Sequence, residues 1–298
     1  MTTFYRRLPR FEFVQPKSLA EVLTLLAEHR ETAKVYAGGT DLVPLMRRRE
    51  IPAPDYVIDL KCLRELEGMT YDERTGLRIG PLTTIRTMAE SVVVLEHFPA
   101  LAQAASSMAS PQVRSRGTFA GNICNAVPSA DSAPALLVFD ATILLKGAKG
   151  ERRVPLDRFF IGPRETVIGP DEVLLEIAVP APAPESRSTY LKLSPRHSMD
   201  LAIVGVAARG ALEDGVCKEI RIALGAAAPT PIRAVAAEEI LQGKRITAEL
   251  IEEAATNAIT QCSPIDDHRA SAEYRCDMVY AMTRRALYRV FLSEEDMV

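Results

Sequence analysis

Three prolines fall within the five residues 180–184, and this run constrains the fold more than any other feature of the chain. Each proline lacks a backbone N–H, so neither a helix nor an inner strand can pass through it. The segment PAPAPES (180–186) therefore reads as a linker, and it divides the 298 residues into two units. That count agrees with the usual size of about 150 residues per domain.

The two units have the means to fold without staples. Apolar residues make up 47% of the chain and charged residues 25%, which supplies a sizeable core. The five cysteines, Cys62, Cys124, Cys217, Cys262 and Cys276, are odd in number, widely spaced and free of any CxxC pair. They read as reduced thiols of a cytoplasmic protein, and they argue against a zinc site or iron–sulfur cluster held by this chain. A net charge of −3 with dispersed basic residues argues against nucleic acid as the main partner. No apolar run approaches the roughly 18 residues of a membrane span. The N-terminal Arg6, Arg7 and Arg10 are not followed by the apolar stretch of a secretory signal.

Before the linker the pattern opens as β-α-β. FEFV (11–14) reads as a strand, and Ser18 to Glu21 has the form of a capping box opening a helix through about residue 29. The strand KVYA (34–37), the turn Gly38-Gly39-Thr40-Asp41, a helix over 42–49 and the strand YVIDL (56–60) follow. Beyond residue 61 come a strand at 77–81, helices near 84–91 and 97–109, a loop-like stretch at 117–136, and strands at 141–148 and 173–180. After the linker, three strands (188–194, 200–212 and 217–226) precede three helices (232–242, 247–261 and 271–292), with the turn at 213–215 joining the last two strands as a hairpin. Strands followed by helices make an α+β domain.

Two segments have the chemistry of ligand loops. In Ala37-Gly38-Gly39-Thr40-Asp41, residues without Cβ let N–H groups converge on an anion at a helix start, as a pyrophosphate requires. Asp41 is expected to cap the helix that begins at Leu42, leaving N–H groups and the Thr40 hydroxyl for the ligand. A glycine pair by itself reads first as a tight strand–helix turn with no ligand. The second segment, Thr118 to Asn122 continuing to Asp131, combines small residues with a hydroxyl, an amide and a carboxylate able to accept from diol hydroxyls. A connecting loop whose polar groups satisfy the local backbone would read the same way. Tyr190, Lys192 and the segment from Arg196 to Asp200 follow the linker and either face a cleft or form a solvated edge. Several classes drop out: there is no GxG, no GxxxxGK[ST] and no GxSxG, and His29, His97, His197 and His268 are isolated.

The segments AGGTDLVP, TFAGNICNAVPSADSAPAL and RHSMDLAIVGVAARG, in this order and with the linker between the last two, resemble the FAD-binding medium subunit of the molybdenum hydroxylases. That family includes xanthine dehydrogenase, carbon monoxide dehydrogenase and the hydroxylases of N-heteroaromatic compounds. The resemblance implies a vanillyl-alcohol-oxidase (PCMH)-type FAD domain over 1–178, with a small lobe at about 1–60 and a larger one at 61–178. It implies the family's α+β domain, a three-stranded sheet plus helices, over 179–298. Carried over by position, Ala37, Gly38, Gly39, Thr40 and Asp41 form one pyrophosphate loop, and Thr118, Gly121 and Asn122 belong to the second. Asp131 would bind ribose or ribityl hydroxyls, Leu174 would pack near the flavin, Lys192 matches a flavin-contacting lysine, and Tyr190 would lie over or beside the ring.

The implied activity is electron transfer. FAD receives electrons from the two 2Fe-2S clusters of a small subunit, after hydroxylation at the molybdenum cofactor of a large subunit, and passes them to NAD+, oxygen or another acceptor. The assembly implied is a dimer of heterotrimers. No catalytic acid or base is required of this chain, and none is assigned. The cysteine-rich insert of the 4-hydroxybenzoyl-CoA reductases is missing. Two alternatives stand beside this one: a self-sufficient flavin oxidase with substrate in the interdomain cleft, and a scaffold that has lost FAD.

Overall fold

The computed structural model describes residues 7–196 and 199–292; Arg6 and His197, considered above, lie outside the described residues. The first lobe contains β1 (Glu12–Val14), α1 (Leu19–His29), β2 (Ala33–Tyr36), α2 (Leu42–Arg48) and β3 (Tyr56–Asp59). Its sheet has the order β1-β3-β2 with parallel pairing, the outcome expected when helices connect successive strands. Ser18 caps α1 by accepting from the Glu21 N–H at 3.2 Å, while the Glu21 carboxylate reaches back to the Lys17 N–H at 2.7 Å, one residue beyond the usual partner. Val22 and Leu26 on the inner face of α1 pack on Ile58 and Leu60.

The second lobe is built on a five-stranded antiparallel sheet of order β4-β5-β10-β6-β7. These strands are β4 (Met69–Asp72), β5 (Gly76–Ile79), β6 (Thr142–Gly147), β7 (Gly150–Pro155) and β10 (Glu172–Val179), with a small ribbon of β8 (Phe160–Gly162) and β9 (Glu165–Thr166) before the last. Its helices are α3 (Ile85–Glu90), α4 (Val92–His97), α5 (Pro99–Ser107), α6 (Pro111–Arg114), α7 (Phe119–Asn125) and α8 (Ser132–Leu137). Phe98, Phe119, Phe139 and Phe159 are fully buried between helices and sheet. Two sequence expectations change here. The helix expected over 97–109 is α5, and a further short helix, α4, precedes it where none was expected; Pro99 in the first turn of α5 keeps the two apart, because it cannot continue the helix before it. The stretch 117–136 is two short helices rather than a loop. Its apparent breakers sit where helices tolerate them: Thr118 is the N-cap of α7 and Pro134 lies in the first turn of α8.

Beyond the prolines, β11 (Arg187–Leu193), β12 (Val204–Glu213) and β13 (Val216–Gly225) form an antiparallel sheet, which a two-residue β14 (Ile232–Arg233) extends to four strands. Asp214 and Gly215, with φ of 52° and 77°, make the left-handed two-residue turn between β12 and β13. Helices α9 (Val235–Leu241), α10 (Ala248–Ile259) and α11 (Ala272–Phe291) cover one face. Strand β12 is buried on both faces. Val204, Val206 and Ala208 pack on the helices, while Ala207 joins the core of the second lobe. On that lobe-facing side the buried Arg209 donates to the Val138 carbonyl at 2.7 Å and pairs with Glu219 and Asp140. The sheet is thus cemented to the second lobe.

The segment before α11 is held by Asp267. Its carboxylate accepts from the Arg269 N–H (2.8 Å), the Ala270 N–H (3.3 Å), the Arg269 guanidinium (2.9 Å) and the buried Arg275 guanidinium (2.8 Å). Burial pushes this carboxyl upward, but the N–H groups and the Arg275 charge outweigh it and bring it down to about 2. A carboxyl lowered in the fold stabilises above its unfolded value of about 3.9 and loses that contribution as the pH falls toward its folded value. Asp267→Asn is expected to lower unfolding free energy by about 1–3 kcal/mol at pH 7. Urea denaturation should find that gap unchanged from pH 7 to 5 and narrower below pH 4.

Candidate functional site

A cavity of about 750 Å³ opens between the two lobes, with Met199, Leu201 and Arg269 from the C-terminal unit on its rim. Its polar wall is the turn after β2. Ala37 is anchored there by Lys61, whose ammonium donates to the Ala37 carbonyl at 3.3 Å while lying 3.6 Å over the Tyr36 ring and bonded to the buried Asp59. The glycines that follow are required by space. A Cβ on Gly38 would overlap the Arg116 carbonyl, and one on Gly39, which has a φ of +72°, would overlap the Tyr36 ring. The N–H groups of Gly38, Gly39, Thr40 and Asp41 donate to no acceptor among the described residues. Four neighbouring donors without a partner among those residues, beside a cavity and at a helix start, are what an anion site requires.

Asp41 corrects one expectation. It occupies the N-cap position of α2 but makes no side-chain bond to the first turn, because its backbone is already helical (φ −103°, ψ −49°) rather than extended. Burial raises its carboxyl above the ordinary value, partly offset by Arg164 and Arg48.

The second loop is fixed against the first. The Ile85 N–H donates to Gly117 O at 2.9 Å and the Phe119 N–H to Thr83 O at 3.0 Å, which pins the residues entering α7. Gly117 stands beside Thr40: a Cβ there would lie 3.1 Å from its hydroxyl oxygen. Thr118 accepts from the Gly121 N–H at 3.0 Å, and the Asn122 side-chain oxygen accepts from Ser132 at 2.5 Å. Asp131 follows on the same wall, only 6% exposed, with both carboxylate oxygens engaged. The Tyr190 hydroxyl donates to Oδ1 at 2.6 Å and the Lys192 ammonium to Oδ2 at 2.8 Å. Burial raises the Asp131 carboxyl, opposed by Lys192 and Tyr190; burial and then the Asp131 charge raise Tyr190 well above its usual value, so the phenol keeps its proton.

The structure brings together Ala37, Gly38, Gly39, Thr40, Asp41, Thr118, Gly121, Asn122, Asp131 and Leu174 around one cavity. Tyr190 and Lys192 do not line it; they stand one layer behind Asp131. Sequence reasoning missed the apolar wall of Leu45, Ile85, Val113 and Ile168 and the turn Met108–Ser110. Ser110 followed by Pro111 is a helix-start signature that could have marked that turn. Cys124 presents its exposed surface to the cavity, and desolvation by the surrounding protein pushes its thiol up to about 12, so it remains protonated. That agrees with a packing residue rather than a redox thiol.

The cavity volume lies within the range of about 300–1,000 Å³ typical of cofactor sites. Free backbone donors suited to a pyrophosphate, a buried carboxylate and an apolar wall suited to an aromatic ring fit an extended flavin dinucleotide. Among the described residues no group of His, Cys, Asp or Glu is placed to hold a metal ion. No described helix is long and apolar enough to cross a membrane.

Comparisons with known proteins agree with this geometry. The family described as FAD binding domain in molybdopterin dehydrogenase matches residues 9–182, and the CO dehydrogenase flavoprotein C-terminal domain matches residues 189–290. The carbon monoxide dehydrogenase medium chain of Hydrogenophaga pseudoflava is 38% identical over 279 residues, covering 94% of this chain and 96% of the relative. The xanthine dehydrogenase FAD-binding subunit of Escherichia coli O157:H7 is 36% identical, covering 91% and 92%. Among solved structures, a chain of the Hydrogenophaga pseudoflava carbon monoxide dehydrogenase that lacks the Mo-pyranopterin moiety superposes with a TM-score of 0.92 at 38% identity, covering 95% of this chain and 98% of that one. A chain of quinoline 2-oxidoreductase from Pseudomonas putida 86 gives 0.89 at 28% identity, covering 95% of this chain and 98% of that one. The chain belongs to the FAD-binding medium subunits of the molybdenum hydroxylases, oxidoreductases of the xanthine and carbon monoxide dehydrogenase type.

Proposed function

We propose that this subunit accepts electrons from the 2Fe-2S clusters of a small partner subunit and passes them to an external acceptor such as NAD+ or oxygen. A large subunit would carry the molybdenum cofactor and the substrate, and the assembly would be a cytoplasmic dimer of heterotrimers. The chain divides in this reading into an FAD domain over 1–178, with lobes at about 1–60 and 61–178, and a C-terminal domain over 179–298. Ala37 to Asp41 hold one part of the pyrophosphate through their free N–H groups; Thr118, Gly121 and Asn122 hold the other. Asp131 fixes diol hydroxyls, and Leu174 packs beside the ring. FAD, when bound, supplies a centre that takes up electrons singly or in pairs.

The observation that carries this reading over a self-sufficient oxidase is the state of the ionisable groups on the cavity wall. Asp131 is bound to Tyr190 and Lys192, Glu172 to Arg152, and Asp200 to Arg196. Cys124 holds its proton up to about 12, and Asp41 lies on the glycine turn. Asp41 alone makes no side-chain hydrogen bond among the described residues, and in this reading it lies with the pyrophosphate rather than the ring, so no base is left for a small-molecule donor, as substrate oxidation on this chain alone would need.

Two outcomes follow. Gly38→Ala forces the Gly38 turn away from the Arg116 carbonyl, so purified protein is expected to carry at least tenfold less flavin per chain by its 450 nm absorbance. Thr40→Ala, which keeps every N–H, should lose less than fivefold. Separately, the isolated flavin-loaded chain mixed anaerobically with xanthine, glyceraldehyde, carbon monoxide or quinoline should show no bleaching. Bleaching should appear with one of these donors once the partner subunits are added; bleaching of the isolated chain would favour the oxidase.

A further inference from the structure

The C-terminal sheet reaches the FAD cavity through one buried triad. Its β11 lies against α5: the Tyr190 N–H donates to Gln103 Oε1 at 2.7 Å, and Ser188 accepts from the Ala100 N–H at 3.2 Å. From this docked strand, Tyr190 and Lys192 both project toward the second lobe and both end on Asp131. Tyr190 is 5% exposed and the Lys192 side chain 10%, and the ammonium also donates to Ser107 O at 3.2 Å. Among the described residues, the Asp131 side chain therefore has two hydrogen-bond partners from the other domain and none from its own.

The neighbouring strands are shaped to allow this. Gly205 on β12 pairs with Lys192 on one side and Gly225 on the other. A Cβ on Gly205 would lie 2.5 Å from the Tyr190 hydroxyl oxygen, and one on Gly225 would lie 3.2 Å from Pro134, just after Asp131. The glycine of the GVAARG segment thus makes room for the tyrosine ring. A carboxylate with so little exposure is costly to leave uncompensated, and among the described residues Lys192 is the cation that pairs with it.

We propose that Tyr190 and Lys192 are positioning residues that act on the flavin site through Asp131, so that the C-terminal domain sets the affinity of the FAD domain for its cofactor. This rests on the reading that Asp131 is a ligand of FAD. Lys192 pairs with the Asp131 carboxylate, Tyr190 fixes its rotation, and neither needs to touch the cofactor. The lysine and the carboxylate consequently act as one unit, and removing either should cost what removing both costs.

The test is a double-mutant cycle in the full chain, stripped of flavin and titrated with FAD by quenching of flavin fluorescence. Asp131→Asn and Lys192→Met are each expected to weaken FAD binding at least tenfold in Kd, and the double variant should be no more than twofold weaker than Asp131→Asn alone. Tyr190→Phe, the milder change, should weaken binding three- to tenfold in the natural background and less than twofold when combined with Asp131→Asn. Thermal melting of each flavin-free variant identifies any that fail to fold, and Tyr190→Phe carries the cycle if Lys192→Met does. If Asp131→Asn weakens binding but the Lys192 or Tyr190 effect multiplies with it in full, these residues act independently of Asp131 and the coupling is overturned. If Asp131→Asn leaves Kd unchanged, the assignment of Asp131 as a cofactor ligand fails and the proposal fails with it.

Discussion

The close approach of Gly38 to the backbone at Arg116–Gly117 is the constraint on which the site depends. No side chain separates the two loops there, since any Cβ on Gly38 would occupy the Arg116 carbonyl. The contact fixes the parallel sheet of the first lobe at a set distance from the helices of the second, and it leaves the N–H groups of residues 38–41 free for the space between. The turn thereby offers backbone donors to a dinucleotide from the first lobe without a GxGxxG motif. The donors cost nothing in side-chain entropy, because each is held by a strand end, a helix start or a β-bridge.

How far the sequence disclosed this can be judged element by element. The β-α-β opening was legible because capping and periodicity act within a few residues, as at Ser18 and along α1. The two-residue turn at Asp214-Gly215 was legible for the same reason. Strand β7 was not, because an edge strand carrying Glu151, Arg152 and Arg153 buries only Val154, too little to make its residues alternate in polarity. Helices α7 and α8 were hidden because small residues pack them among other helices without an amphipathic stripe; every residue of α8 is buried. Around the cavity, both glycine-containing segments and Asp131 were legible as lining residues. The placement of Tyr190 and Lys192 behind the cavity depends on how the sheet docks against α5 and α8, which is set by contacts some 60 to 90 residues apart in sequence. Local pattern does not record that.

The C-terminal domain also gains a clearer role. One face of its sheet packs on its own helices, and the other carries Tyr190, Ala207 and Arg209 into the second lobe. Burial on both faces explains why Val204 to Ala208 of β12 are apolar without alternating, the buried Arg209 being admitted by its bonds to Val138 O, Glu219 and Asp140. A domain attached this way supports the wall of the cavity. The proline segment separates two chain regions in sequence while the sheet rejoins them in space.

The most direct test of the account is amide hydrogen exchange of the full chain with and without FAD. The N–H groups of Gly38 to Asp41 have no acceptor among the described residues and should exchange rapidly without flavin. Binding of FAD should slow them together with those of residues 117–122, and should leave α10, which packs on α9 and α11 away from the cavity, unchanged. Protection of only one of the two loops, or protection centred elsewhere, would contradict a cofactor held between them.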